Sequence, residues 1–473
     1  MEAMGFMKRE QIMEMLYEKY ISPTERNKDN YIGVEIEMPV VNLKGEATDY
    51  NVTKAVTKEF IESRSFDKVG IDNEGFCYSA TDPVTGDNLS FDCSYNNLEF
   101  SFAKERSLHN IWNRFSNYIT ELNDSFSKQG HLLTGMGVNP GYKVNHKDFL
   151  PVPRYQMLEG YLKRAKSWEY PMYFHPYTAF GTYACASQVQ LDVSKDRLIS
   201  TIKAFTLLEP IKSLLFSNAW MESEPNNLCV RDMFWENSTH GINPHNVGIF
   251  EQIPDSIDEL LEYISRTSIF CTERDGHYLF FKPIPIIDYF DKENVEGEYY
   301  ENGAFHSYSF KPEKSDLSFL RTYKFEDLTY RGTIEYRSAC CQPFSDAMTV
   351  AAFHVGLQNK TDEIIELLEN DKVIYHHGYT PGEMRKLMNN RNLPGFVDSR
   401  KLNRLLMKIL DLATDGLSKR GLSEEEFLTP LYERDMAPAL RMVEGLESGV
   451  DMKTFIYEYA ELERNKNNKI KVG

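Results

Sequence analysis

The sequence predicts an α+β fold in which a half-buried sheet packs against helices. Three observations carry this. Four well-separated segments alternate strictly between apolar and polar side chains, helical spacing recurs between them, and from about residue 345 the pattern turns continuously helical. In YIGVEIEMPV (31–40), Ile32, Val34, Ile36 and Met38 share one strand face, and Glu35 and Glu37 share the other. In FDCSYNNLEFSFA (91–103), Asn97, Glu99 and Ser101 oppose Leu98, Phe100 and Phe102. In CASQVQLDV (185–193), Gln188, Gln190 and Asp192 oppose Val189, Leu191 and Val193; in RGTIEYRSA (331–339), Thr333, Glu335 and Arg337 oppose Ile334 and Tyr336.

Taken in order, helical spacing covers 1–20, 52–64 and 104–129, and 194–220 reads as a long helix broken or kinked near Pro210. Strand-like segments lie at 31–41, 69–80, 88–102, 131–138, 184–193, 278–286 and 331–338. Segments 220–250 and 290–315, rich in Asn, Gly, Glu and Pro, read as surface or active-site loops, and GMGVNPG (135–141) as a turn. SEEE (423–426) reads as a capping box, and the polar tail at 466–473 as a frayed end. With no convincing linker, the expectation is one domain over 1–473: a sheet-based core at about 30–345 and a helical portion at about 346–465.

Composition narrows the function classes. Against 53 basic residues stand 71 acidic ones, a net charge of −18, which argues against a general binder of nucleic acid or anionic membranes. The N-terminus has no apolar signal core and no run reaches membrane-span length, so a cytoplasmic protein is expected. Seven scattered cysteines fit reduced, mostly buried thiols, with Cys340 and Cys341 as core filling. Zinc signatures and the GxxxxGK[ST] phosphate loop are absent, and His175 and His245 read as ordinary loop histidines.

The polar faces carry the chemistry. Two strand steps span roughly 7 Å, so Glu35 and Glu37 repel one another in any dry setting. If the four polar faces converge, Glu35, Glu37, Asp92, Glu99 and Glu335 crowd together, and hard divalent cations would compensate them, as Mg²⁺ does alongside substrate phosphates. A solvated antiparallel face gives the same alternation, and periodicity does not make the four strands neighbours.

YIGVEIE, the Asp92 to Glu99 segment, TIEYRSACCQPFS and AAFHVGL together resemble the glutamate–cysteine ligases. Gly33-Val34-Glu35-Ile36-Glu37 has the family's GxExE form, and Ile334-Glu335-Tyr336-Arg337-Ser338 followed by Pro343-Phe344-Ser345 its IExRS…PFS segment. PVPRYQM (151–157), TYACASQVQLDVSKD (182–196), LLEPIKSLLFSNA (207–219), VRDMFW (230–235) and GLSKRGLSEEEFLTPLYE (416–433) are similar, in order, to plant-type segments. The resemblance implies a curved, mostly antiparallel sheet forming a funnel covered by helices, similar to the ligase fold of glutamine synthetases. It implies ATP, two or three Mg²⁺ ions that Mn²⁺ can replace, and the joining of glutamate to cysteine as the first step of glutathione formation. By position, Glu35, Glu37, Asp92, Glu99, Gln188 and Glu335 would hold metal, Arg337 would meet the transferred phosphoryl group, and Arg154 and Arg231 would hold glutamate carboxylates.

Departures fall elsewhere. Cys340 stands where the family has an aspartate, the arginine-threonine-glycine after the tryptophan is not evident in WENSTHG (235–241), and the plant-type Pro-Gly-Gly-Gln is lost around Asn96-Asn97. The same chemistry on another amine or acid, or a silent nucleotide-binding relative, therefore stands beside the leading reading. Oligomeric state is not encoded in these motifs.

Overall fold

The computed structural model describes residues 7–26, 28–434 and 436–463. Residues 1–6 of the expected N-terminal helix and the expected frayed tail lie outside them. The predicted class holds: a mixed fold with a large antiparallel sheet against helices. Its strands are β1 (Ile32–Asn42), β2 (Asp67–Ile71), β3 (Cys77–Thr81), β4 (Asn88–Phe91), β5 (Asn97–Glu105), β6 (His131–Leu133), β7 (Ser187–Asp192), β14 (Glu326–Leu328) and β15 (Thr333–Tyr336). They run β14-β15-β7-β1-β5-β4-β3-β2, with β6 on the far end of β1, so the sheet is open and not a closed barrel. The four alternating segments are consecutive neighbours, β15, β7, β1 and β5, all antiparallel.

Alternation decides which face is covered. Ile36, Met38, Leu98, Phe100, Val189 and Tyr336 are buried on the apolar side. Helices α1 (Arg9–Leu16), α2 (Tyr50–Ser63), α3 (Leu108–Lys128), α4 (Pro153–Lys163), α5 (Lys195–Phe216) and α6 (Val230–Glu236) precede a C-terminal helical series. α3 buries Leu108, Ile111, Phe115, Tyr118, Leu122 and Phe126, a three-and-four spacing that makes one continuous stripe. Tyr118 stacks on Phe100 with centroids 5.0 Å apart, and each such side chain contributes roughly 1.5–3 kcal/mol on burial. α5 runs unbroken through Pro210, unlike the expected break; burial of Leu207, Leu208, Pro210 and Ile211 offsets the lost backbone hydrogen bond.

The strand expected at 278–286 belongs to a second sheet whose other three strands the sequence reading did not mark. β9 (Ser268–Arg274), β10 (His277–Pro285), β11 (Val295–Glu301) and β12 (Ala304–Phe310) pair in the order β12-β11-β10-β9. The expected loop at 290–315 is therefore a hairpin, turning on Asn302 and Gly303, both at positive φ (50° and 79°). The expected loop at 220–250 contains α6 and the two-residue strand β8 (Val247–Gly248), which pairs in parallel with β13 (Tyr323–Lys324). α4 lies on β10 and β11 across Gly160, where a Cβ would sit 2.6 Å from Tyr300 Cβ; no larger residue permits that approach.

Four smaller expectations change. The 69–80 segment is two strands, and 131–138 holds only the three residues of β6. The 88–102 segment is also two, broken at residues 92–96, with Cys93 at φ 58°. Ser423, expected to cap, lies at φ 56° with no side-chain cap bond; Glu424 turns inward and accepts from Leu108 N at 2.8 Å. Cys340 and Cys341 are fully buried, as core filling requires.

Candidate active site

The register brings the polar faces together. Glu37 lies opposite Glu99, Glu35 opposite both Ser101 and Gln188, and Glu335 opposite both Gln190 and Asp327. Directly opposed residues share a face, so these side chains form one strip across five strands. Asp92 joins it through the break between β4 and β5. In an unbroken strand, residues seven apart point to opposite faces; the break restores Asp92 and Glu99 to the same side.

The strip is held by few internal donors. Gln188 Nε2 donates to Glu37 Oε1 at 2.9 Å, and Ala186 N to Glu37 Oε2 at 2.7 Å. Gln190 Nε2 spans Glu35 Oε1 and Glu335 Oε2, each at 3.3 Å. Ser101 Oγ donates to Glu99 at 2.6 Å, and Tyr155 OH to Asp92 at 3.4 Å. Arg337 pairs with Glu335. Burial first, then repulsion from Glu335, pushes Glu35 up to about 7; burial and then Asp92 push Glu37 up to about 7. Burial and the neighbouring Glu35, Asp92 and Glu37 put Glu99 well above the usual carboxylate range. Asp92 is raised by burial, with Arg154 opposing.

Among the described residues no three acids, cysteines or histidines are already closed into a metal cage. The donor chemistry nevertheless suits a hard cation: every acid supplies oxygen, the charges are alike, and the buried Oε1 of Gln188 has no hydrogen-bond partner.

Beside the strip opens a cavity of about 260 Å³, reached by Glu37, Asp92, Gln188 and Arg337. Arg154, placed by α4, and Arg231, placed by α6, also line it. Their settings differ. Buried Arg231 spends its guanidinium on backbone, donating to Ala339 O at 3.0 Å and Ser338 O at 3.3 Å. Arg154 is exposed and, among the described residues, has no hydrogen-bond or ion-pair partner. Away from the acids the wall is apolar: Met157, Trp235, His240, Phe270, Tyr278 and Tyr323. His175 bonds Phe234 O at 3.0 Å, a loop tie.

Sequence reasoning passed over Asp327, Tyr155, Tyr323 and His240. The signal for Asp327 was the short FEDL…GTIEY hairpin, with Gly332 at φ 76° in its turn. His240 sits in a single turn at Thr239–Ile242, where no periodicity marks it.

The site is thus an antiparallel sheet carrying a strip of acids with an arginine in register and a cavity beside it. No family model matches the chain. Glutamate–cysteine ligases of plant chloroplasts are similar to it. The Brassica juncea protein is 22% identical over 361 residues, 73% of this chain and 65% of that one; the Arabidopsis thaliana protein is 22% identical over 365 residues, 73% and 64%. The chain thus spans about two thirds of these relatives, just short of it in both. Among solved structures, a glutamate–cysteine ligase from Francisella tularensis in complex with AMP covers 92% of this chain and 88% of its own, at 12% identity and TM-score 0.45. A bifunctional glutathione synthetase from Pasteurella multocida covers 95% and 53%, at 12% identity and TM-score 0.47. The resemblance read from the motifs is met again in the chloroplast glutamate–cysteine ligases. No helix among the described residues is long and apolar enough to cross a membrane.

Proposed function

We propose that the chain is an ATP- and Mg²⁺-dependent ligase that joins the γ-carboxylate of L-glutamate to an amine through γ-glutamyl phosphate. L-Cysteine is the acceptor that the relatives' names supply. The observation that carries this is the strip of Glu35, Glu37, Glu99 and Glu335 on adjacent strands, with Arg337 in register beside it. A carboxylate is a poor electrophile. Its oxygen first attacks the γ-phosphorus of ATP, ADP leaves, the amine attacks the resulting acyl phosphate and phosphate departs.

Glu35, Glu37, Asp92, Glu99, Gln188 and Glu335 would hold Mg²⁺, which supplies charge neutralisation around the phosphates. Arg337 offers a planar fork for the phosphoryl oxygens as charge shifts between them. Arg154 would take a substrate carboxylate. Arg231 would act from behind, fixing the backbone at residues 337–340 and with it the direction of Arg337. Enclosure of the cavity protects the acyl phosphate from water. In this reading residues 30–345 form the catalytic core and 346–465 its helical support.

Phosphate release from Mg-ATP and glutamate, with product mass, tests the proposal. Release that depends on an added amine and yields its γ-glutamyl derivative supports it. Mg-ATP binding without release from any amine would leave a silent nucleotide-binding relative. A second reading, in which the chemistry stays and the amine differs from cysteine, is favoured by the apolar wall of the cavity.

A further inference from the structure

The segment that enters β13 presents alternate residues to the cavity. Phe319, Arg321, Tyr323 and Phe325 all line it, whereas Lys324 donates to Val247 O at 3.0 Å and Thr322 to Asp327. Arg321 is the one charged member of the lining series. Its guanidinium is held from one side only: Nη1 donates to Ser318 O at 3.1 Å and to Leu320 O at 3.2 Å. Nε and Nη2 have no hydrogen-bond or ion-pair partner among the described residues, and the side chain is exposed. Those two nitrogens form the edge whose parallel N–H groups match a carboxylate.

The other arginines of the cavity are committed. Arg231 donates to Ala339 O, Arg337 pairs with Glu335, and Arg154 lies 5.7 Å from the Tyr155 ring centroid and faces Asp92. Glu37 and Asp92 also line the cavity, so a ligand carboxylate that met no cation there would be repelled. With glutamate activated at its γ-carboxylate, an amino-acid acceptor brings a further carboxylate into this setting. The open edge of Arg321 suits it.

We propose that Arg321 binds the carboxylate of the acceptor and so selects α-amino acids over simple amines. This rests on the ligase reading above: the acceptor nitrogen bonds to the γ-carboxyl carbon, loses a proton and displaces phosphate, while Arg321 only holds the acceptor.

The test supplies the full chain with Mg-ATP, glutamate and one acceptor at a time. The acceptors are cysteine, alanine and phenylalanine, and the same amines without the carboxylate, cysteamine, ethylamine and phenethylamine. In the wild type the best amino acid should exceed its decarboxylated counterpart at least tenfold in kcat/KM. Arg321→Gln should collapse that ratio about tenfold through the KM for the amino acid, and Arg321→Lys should restore part of it. A mere brace for the backbone at 318–320 would not move the ratio. A wild type that uses the decarboxylated amines equally well overturns the inference while the ligase reading stands. So does an Arg321→Gln variant that lowers both members of a pair alike, or that raises the KM for glutamate instead. If none of the six is ligated, the ligase reading fails, and calorimetry decides this inference separately. Saturable heat from one of the three amino acids, absent with its decarboxylated counterpart and with Arg321→Gln, sustains it; no such heat overturns it.

Discussion

Two clusters of charge lie within the same fold and are treated in opposite ways. Behind β15, Glu209, Lys212, Asp232, Glu326 and Arg385 are all buried, and every cation has acids to meet. Lys212 pairs with Glu209 and lies 3.4 Å from Glu326, while Arg385 lies 2.8 Å from both Glu209 and Asp232. Burial alone would raise Glu209, but Lys212 and Arg385 hold it down at about 2. Glu326 is pushed well above the usual carboxylate range by burial and then by Glu209, with Lys212 opposing. The cluster closes its own charge. On the opposite face, the strip of Glu35, Glu37, Asp92 and Glu99 is short of cations, and its members are pushed upward together. Paired charge braces the fold; unpaired charge awaits a partner from solution.

The largest expected effect separates the two at once. Arg385→Met leaves Glu209 and Asp232 facing each other and should cost about 3–5 kcal/mol in urea unfolding. Glu99→Gln, in the strip, should cost much less in the absence of Mg²⁺, because it removes a carboxylate repelled by Glu35, Asp92 and Glu37 and breaks no ion pair among the described residues. Equal losses in the two variants would erase the distinction. Next, Arg337→Ala should lower phosphate release by about 10²–10³-fold while the melting temperature stays close to wild type. A variant that melts early instead would move Arg337 into the bracing cluster.

Added cation sharpens the comparison further. At a concentration near 100 times its dissociation constant, Mg²⁺ should stabilise the wild type by about 2.7 kcal/mol, and Glu37→Gln should lose most of that gain. Arg385→Met should keep it.

The smallest effect is set by acid. His354 stacks on Phe205, donates from Nδ1 to Val350 O at 2.7 Å and lies near Lys212 at the edge of the paired cluster. Burial first, then Lys212, lowers its pKa to about 3, below the unfolded value of about 6.5. The folded state therefore refuses a proton that the unfolded chain accepts. Its stability is fully present above pH 6.5 and is lost as the pH falls toward 3. Between pH 6.5 and 5 His354 should cost roughly 2 kcal/mol; His240, held down to about 3 by burial, should add a similar loss, so His354→Gln should reduce the slope by about half. An unchanged slope would assign the acid sensitivity elsewhere.

The parts of this arrangement that the sequence made legible are those with a local period. Glu35 and Glu37 declared a common face by their spacing, and Glu335 and Arg337 did the same. Their convergence was not written locally, because the pairing of β1 with β7 joins residues more than 150 positions apart. Of the second sheet only β10 was legible, and β11 and β12 were missed although Asn302-Gly303 is a strong hairpin turn; the charged and glycine-rich flanks hid their alternation. His240 gave no periodic signal, since what singles it out is two ring nitrogens without hydrogen-bond partners, a property of the folded chain.

The interruption between β4 and β5 has a further consequence. Each strand takes its register from its neighbours, Phe91 against Leu98 and Glu99 against Glu37. The residues between them are anchored from outside the sheet, Tyr95 donating to Asp72 at 2.6 Å, Asn96 to His146 O at 2.9 Å and Leu150 N to Cys93 O at 2.8 Å, so Asp92 is aimed by these ties and not by strand register. Asp92 is thus the one acid of the strip placed by a loop rather than by strand pairing.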